Sequence, residues 1–195
     1  MSAFYDSETW LAFGQGHPGG REATKTLLRR SGLMAGDRLL DLCCGLGDST
    51  ALAASLGLDV LGIDREPAVA RAVQRHPDCA FFPWSGGMLP LEDGSLDAVL
   101  CECSLSQLEY GDAVLQEVLR CLKPQGRLLL SDLCDGRPPK FSGFSIESWE
   151  DQTPQLREFS ARWLWETGSR FPCGCKGSGY FAACYRAGWE DGHGF

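Results

Sequence analysis

The sequence predicts an α/β domain with a mainly parallel sheet and helices on both faces. Two observations carry this. Short apolar runs alternate with helix-period segments, and repeated β-loop-α order builds parallel sheets. A glycine loop, Asp41-Leu42-Cys43-Cys44-Gly45-Leu46-Gly47-Asp48-Ser49, joins the first apolar run to the next helix. In such sheets ligands bind at the carboxyl ends of the strands, near the switch in strand order.

The elements follow in order. Residues 1–20 read as an irregular or helical lead-in. Arg21 to Gly32 reads as a helix, with Ala23, Leu27 and Leu28 on one face and Gly32 as its stop. Arg38 to Cys43 is a buried strand. Ser49 to Leu56 is an Ala- and Leu-rich helix, capped by Asp48 or Ser49 and stopped by Gly57. Asp59 to Asp64 is a second strand, and Pro67 opens a helix to about Arg75. Cys79 to Pro83 and Leu96 to Cys101 are strands, separated by a loop from Trp84 to Gly94. Asp112 to Leu122 is an amphipathic helix closed by a turn at Lys123-Pro124-Gln125-Gly126. Arg127 to Asp132 is a fifth strand. Beyond it, Phe144 to Glu150 and Tyr180 to Arg186 read as strands and Leu156 to Thr167 as a helix.

The chain has 195 residues, 44% hydrophobic and 23% charged, which fits one globular domain spanning residues 1–195. A net charge of −8 argues against phosphate backbones and anionic membrane surfaces as partners. No apolar run reaches the roughly 20 residues that span a bilayer. The N-terminus lacks the basic-then-apolar pattern of a signal peptide. Without an export signal, the ten cysteines read as reduced thiols of a cytoplasmic protein.

The glycines let the backbone approach a ligand closely, and the following helix offers its positive end to an anionic group. Asp64, closing the second strand, can accept hydrogen bonds from ribose hydroxyls. These features fit nucleotide cofactors in general, or a plain αβ turn. For NAD, the G-x-G-x-x-G/A fingerprint is imperfect, because Ser49 and Thr50 follow Gly47 and Asp48. Asp41, inside the first strand, is odd for a pyrophosphate. It suits a ligand bearing an ammonium or sulfonium group, and S-adenosylmethionine (SAM) carries both.

Four segments in order resemble one family: Leu39 to Gly47, Val60 to Asp64, Leu89 to Asp97, and Val118 to Leu128. The chain is similar over roughly residues 20–133 to the class I SAM-dependent methyltransferases, in the branch acting on small molecules. The resemblance implies a Rossmann-like, seven-stranded, mainly parallel sheet with one antiparallel strand near the C-terminus. It implies SAM as cofactor, with Asp41, Gly45 and Gly47 around its methionine part and Cys43 among the cofactor-binding residues. Asp64 would hold the ribose, Arg65 would flank the adenine, and Ser85, Gly86 and Gly87 would lie along the adenine edge. Cys103 and Ser104 would line the methyl-transfer site. Two departures stand out: Ser85 replaces a commonly acidic residue, and Cys43-Cys44 replaces a common Gly-Cys or Gly-Ser.

Methyl transfer from an activated donor needs alignment first, and a base only if the acceptor must lose a proton. Candidate groups at the reaction centre are Cys103, Glu102 and His17, the last in an N-terminal segment expected to lid the pocket. Glu109 and Asp132 are further carboxylates able to serve as a base. His76 reads as a surface or capping residue, and His193 lies in the tail. Cys101, Cys103 and Cys134 are either packing thiols or ligands for a soft acceptor such as a metalloid. Cys173-Gly174-Cys175 lacks the partner pair of a zinc site, so no metal is expected. Trp149 to Asp151 either contacts the acceptor or packs, and Trp163 and Trp165 read as core or interface. The expected acceptor is a small molecule, handled by residues 1–20 and 133–195. The alternatives are an NAD(P)-dependent oxidoreductase and a non-catalytic SAM- or metalloid-binding protein.

Overall fold

The computed structural model describes residues 3–172 and 179–188. A 3-10 helix (Ala3–Asp6) leads into α1 (Glu8–Phe13) and α2 (Gly20–Arg30). The alternating core follows as β1 (Arg38–Leu42), α3 (Asp48–Ser55), β2 (Asp59–Asp64), α4 (Glu66–Arg75), β3 (Ala80–Pro83) and β4 (Leu96–Glu102). A second 3-10 helix (Leu105–Gln107) precedes α5 (Gly111–Cys121), β5 (Leu122–Cys134), β6 (Phe144–Asp151), α6 (Thr153–Thr167) and β7 (Gly179–Ala187). The seven strands form one sheet in the order β3-β2-β1-β4-β5-β7-β6. β7 runs antiparallel to both β5 and β6, and the other pairings are parallel. The expected fold class is the observed one.

Alternation along the strands makes two cores. Leu40, Leu42, Val99, Cys101, Leu128 and Leu130 face α5 residues Val114, Leu115 and Val118. Leu39, Ala98, Leu100 and Leu129 pack with Leu27 and Leu28 of α2 and Leu52 and Ala53 of α3. Strand order reverses between β1 and β4, which opens the crevice at their carboxyl ends. Trp163 of α6 joins Phe13 and Phe159 in a third, aromatic cluster, whereas Trp165 is exposed.

The turn expected at Lys123 to Gly126 lies within β5. Leu122 pairs with Leu96, the register then shifts to Ala98 against Arg127, and Gln125 takes a φ of 66°. The chain turns there as a bulge and rejoins the same ladder. Trp149, Glu150 and Asp151 sit on the edge strand. Glu150 pairs with Arg30 and Asp151 accepts from the Thr153 backbone N–H at 2.9 Å, so both are committed to structure.

Two glycines make the loop after β1 pack. Gly47 has a φ of 79°, and a Cβ there would sit 2.6 Å from the Phe81 ring. A Cβ on Gly62 would also sit 2.6 Å from that ring. Phe81 thus wedges between the loop and β2, leaving no room for side chains at either position. Gly45, with a φ of 56°, has open space around its Cβ position. We expect Gly47→Ala to lose roughly 1–3 kcal/mol by strain and overpacking, and Gly45→Ala about 1 kcal/mol by strain alone. Thermal unfolding of the two variants checks that order.

Candidate functional site

The site begins with the backbone at the end of β1. Cys43 has a φ of 63°, Gly45 of 56° and Gly47 of 79°. Three left-handed residues within five fold the chain back over the strand ends. Gly45 N–H then donates to Asp64 Oδ2 at 2.8 Å, and Arg65 N–H donates to Asp64 Oδ1 at 2.6 Å. The end of β2 is locked to the loop. Position 43, where the resemblance shows glycine, lies in the conformation that glycine adopts without strain. Cys43 is held there with its side chain against the main core.

A cavity of about 290 Å³ opens above these strand ends. Asp41, Cys43, Cys44, Gly45, Asp64 and Arg65 line one part. Glu102, Cys103, Ser104 and Gln107 line another, and Tyr5, Trp10, Gln15 and His17 cover it from the N-terminal segment. Gly47 serves as the cap residue of α3 and is not among the lining residues. Ser85 and Gly86 are not brought to the cavity. Trp84 N–H donates to the Asp64 carbonyl at 2.7 Å and its side chain is buried, which swings Ser85 to Met88 out to solvent.

Asp41 and Asp64 are 3% and 4% exposed. Burial pushes the Asp41 carboxyl up to about 7, against the lowering effect of a 2.6 Å bond from Thr50 Oγ1. Thr50, a mismatch to a dinucleotide fingerprint, therefore has a task of its own. Burial raises Asp64 as well, opposed by its two backbone donors. Neither carboxylate forms an ion pair with a described residue. Asp6 pairs with Arg65 and Arg71, and Asp48 with Arg75, while Glu102 is held by hydroxyl donors and lies against the His17 ring. Arg21 also lines the cavity and has no carboxylate partner among the described residues.

Glu102 is a clasp. Its carboxylate accepts from Thr24 Oγ1 at 2.9 Å and Ser49 Oγ at 2.8 Å, with His17 Nε2 at 3.4 Å. One side chain at the end of β4 thereby ties α2, α3 and the N-terminal segment together. His17 lies in the cavity wall, but its Nδ1 contacts the Pro18 carbonyl at 3.0 Å and its Nε2 contacts Thr24 Oγ1 at 3.1 Å. Both ring nitrogens are engaged, so neither His17 nor Glu102 stands as a free base.

Cys103 has a φ of 55°, and its N–H donates to the Ser131 carbonyl at 2.7 Å. Burial, with Asp132 nearby, pushes its thiol up to about 12, which favours the protonated thiol at neutral pH. Burial likewise pushes the Tyr5 phenol up to about 12, with help from Cys103 and Asp132. The cysteines Cys43, Cys44, Cys101, Cys103 and Cys134 are free thiols. Among the described residues no group of three His, Cys, Asp or Glu is placed to hold a metal ion. Cys173, Cys175 and His193 lie outside the described residues. His76 caps α4 and meets Asp48 at 2.9 Å, as a capping residue.

Residues 40–130 match the family described as a methyltransferase domain. That segment is similar to the class I SAM-dependent methyltransferases. It is 39% identical over 102 residues to a demethylmenaquinone methyltransferase of Beutenbergia cavernae, covering 52% of this chain and 42% of that protein. A demethylmenaquinone methyltransferase of Corynebacterium urealyticum is 34% identical over 139 residues, covering 71% of this chain and 58% of that protein. The chain thus spans about half the length of these curated relatives. In fold it is similar to the [4+2]-cyclase SpnF, with a TM-score of 0.70 at 22% identity over 86% of this chain and 81% of that one. It is equally similar to phosphoethanolamine N-methyltransferase 2 of Haemonchus contortus in complex with SAM, with a TM-score of 0.70 at 18% identity, over 95% and 55%. SAM is the cofactor of this superfamily's domain. The methyltransferase-domain match over residues 40–130 weighs against the oxidoreductase alternative. No helix among the described residues is long and apolar enough to cross a membrane.

The cavity fits SAM by its unmatched charges. Asp41 and Asp64 are buried in the cavity wall without an ion-pair partner among the described residues, and the exposed Arg21 stands at its edge. A cationic ligand favours the ionised form of Asp41, so its affinity rises as pH passes through about 7. We expect SAM to bind several-fold more tightly at about pH 8 than at about pH 6, with the dependence flattened in Asp41→Asn. Calorimetry at the two pH values checks this.

Proposed function

We propose that this chain transfers a methyl group from SAM to a small-molecule acceptor, within a single domain over residues 1–195. The observation that carries this reading is the pair of buried carboxylates, Asp41 and Asp64, that line the cavity without an ion-pair partner among the described residues. Asp64 takes the ribose hydroxyls, Asp41 faces the ammonium and sulfonium charge, and Arg21 takes the methionine carboxylate. Arg65 borders the adenine side, while Cys43 and Gly45 supply the loop wall. Bound SAM supplies a methyl already activated by its sulfonium leaving group.

The chain's own part is alignment and exclusion of water, which together supply several kcal/mol of barrier lowering. Residues 3–17 form the roof. Asp6 fastens it beside Arg65, the Glu102–His17 clasp fastens it beside Cys103, and Phe4 and Trp10 seat it on Trp163. Cys103, Ser104, Gln107 and Tyr5 are the acceptor-side wall. The thiol of Cys103 there is a compact, protonated contact. With His17 and Glu102 engaged in the clasp, an acceptor that reacts without prior loss of a proton suits this wall. A compact acceptor also suits the cavity volume, much of which SAM occupies.

Methyl transfer from labelled SAM to a panel of small acceptors tests the activity, and calorimetry tests the cofactor. Asp64→Ala and Arg21→Ala should each weaken SAM binding at least about tenfold, the effect of losing one charged hydrogen-bond partner. SAM binding that survives both changes overturns the assignment of these groups. Cys43→Gly should melt above Cys43→Ala, reversing the usual order, because only glycine relieves the left-handed φ. Paired melting curves decide it.

A further inference from the structure

A second cavity, of about 220 Å³, lies behind the wall of the first. Leu105, Leu115, Leu130, Leu133, Phe141 and Phe181 make most of its wall apolar, with Asp112 exposed at its rim. Its one deeply buried charge is Asp132, 3% exposed. The Asp132 carboxylate accepts from Ser106 N–H at 2.8 Å, Ser106 Oγ at 2.7 Å and Leu133 N–H at 2.7 Å. No Lys, Arg or His among the described residues pairs with it. Burial without a cation raises its pKa. The methyl-transfer reading does not use this group.

The hydrogen-bonding state of Asp132 narrows the ligand. Its oxygens are already occupied by neutral donors, so a metal ion or primary amine would have to displace them. A quaternary ammonium has no N–H and needs none. Its charge gains from an anion at close range, and its methyl groups gain from apolar and aromatic walls. The walls are braced: Tyr185 OH donates to the Pro139 carbonyl at 2.9 Å, and the Phe141 and Tyr185 rings lie 5.3 Å apart. We infer that the second cavity is a binding site for a quaternary ammonium group, with Asp132 as its counter-charge and Phe141 and Phe181 in its walls.

The site adjoins the first cavity through the 3-10 helix Leu105–Gln107. Leu105 and Ser106 face the second cavity, whereas Gln107 faces the first. Asp132 holds that helix in place through Ser106.

The test compares choline with its uncharged isostere, 3,3-dimethylbutan-1-ol, on the intact chain. Binding is followed by calorimetry and by the methyl NMR shifts of Leu115 and Leu133. Choline should bind at least about tenfold more tightly than the isostere, as a charge-reading site requires, and should shift both leucines. Asp132→Asn should remove that preference. If that variant does not fold, Gly111→Leu serves instead. Gly111 lines the cavity and a Cβ there meets nothing nearer than 3.6 Å, so the substitution adds bulk at the cavity and leaves the Asp132 carboxyl in place. Gly111→Leu should abolish choline binding. Equal binding of choline and the isostere overturns the inference, as does the absence of choline binding or its persistence in Gly111→Leu. SAM binding is measured separately, so either result leaves the cofactor reading intact.

Discussion

The bond from Gly45 N–H to Asp64 decides where everything else in this molecule sits. It spans from the loop after β1 to the end of β2, and it forms only because the backbone at Cys43, Gly45 and Gly47 turns left-handed. The turn brings Asp41 and Asp64 to the floor of one cavity, and it aims the first turn of α3 at the same space. Phe81 completes the arrangement from the opposite side, resting against Gly47 and Gly62. Larger side chains at those two glycines would push the loop off β2 and separate the two carboxylates.

The roof depends on a different principle. Residues 3–17 are too short to bury a core of their own. They are held by aromatic contacts to α6 and by two polar fastenings, Asp6 with Arg65 and His17 with Glu102. Both fastenings lie in the cavity wall. The groups that close the site are therefore neighbours of the groups that bind in it, and a ligand that competes for Arg65 or shifts Glu102 also acts on the roof.

The parallel core was legible because hydrophobic runs and glycine stops mark it directly. The element bounds from β1 to α5 differ from expectation by one residue or so at most ends. The bulge in β5 was hidden because a Pro-Gln-Gly sequence signals a turn without saying whether the chain leaves the ladder. In the site, Asp41, Gly45 and Asp64 were readable from motif position. Thr24 and Ser49 were not, because a hydroxyl on a helix carries no signal until Glu102 is placed opposite it. Ser85 and Gly86 were drawn from the resemblance, and the burial of Trp84 turned that segment outward. Cys43 is the reverse case. The departure from glycine was visible in the sequence, but its meaning required the φ angle.

Three carboxylates, Asp41, Asp64 and Asp132, are buried without cations, and the cause of each raised pKa is burial. The consequence follows from linkage. A carboxylate with a folded pKa above its unfolded value binds more protons in the folded state between those two values. Folding stability therefore falls as pH rises through that window, which for Asp41 ends near 7. Any cation that binds beside these groups reverses the sign of the effect, because it favours their ionised form. The unliganded fold is thus least favoured where its carboxylates are charged, and that is where a positively charged ligand contributes most. The pockets of this molecule are coupled to its stability through these buried carboxylates, whose ionised form a bound cation would favour.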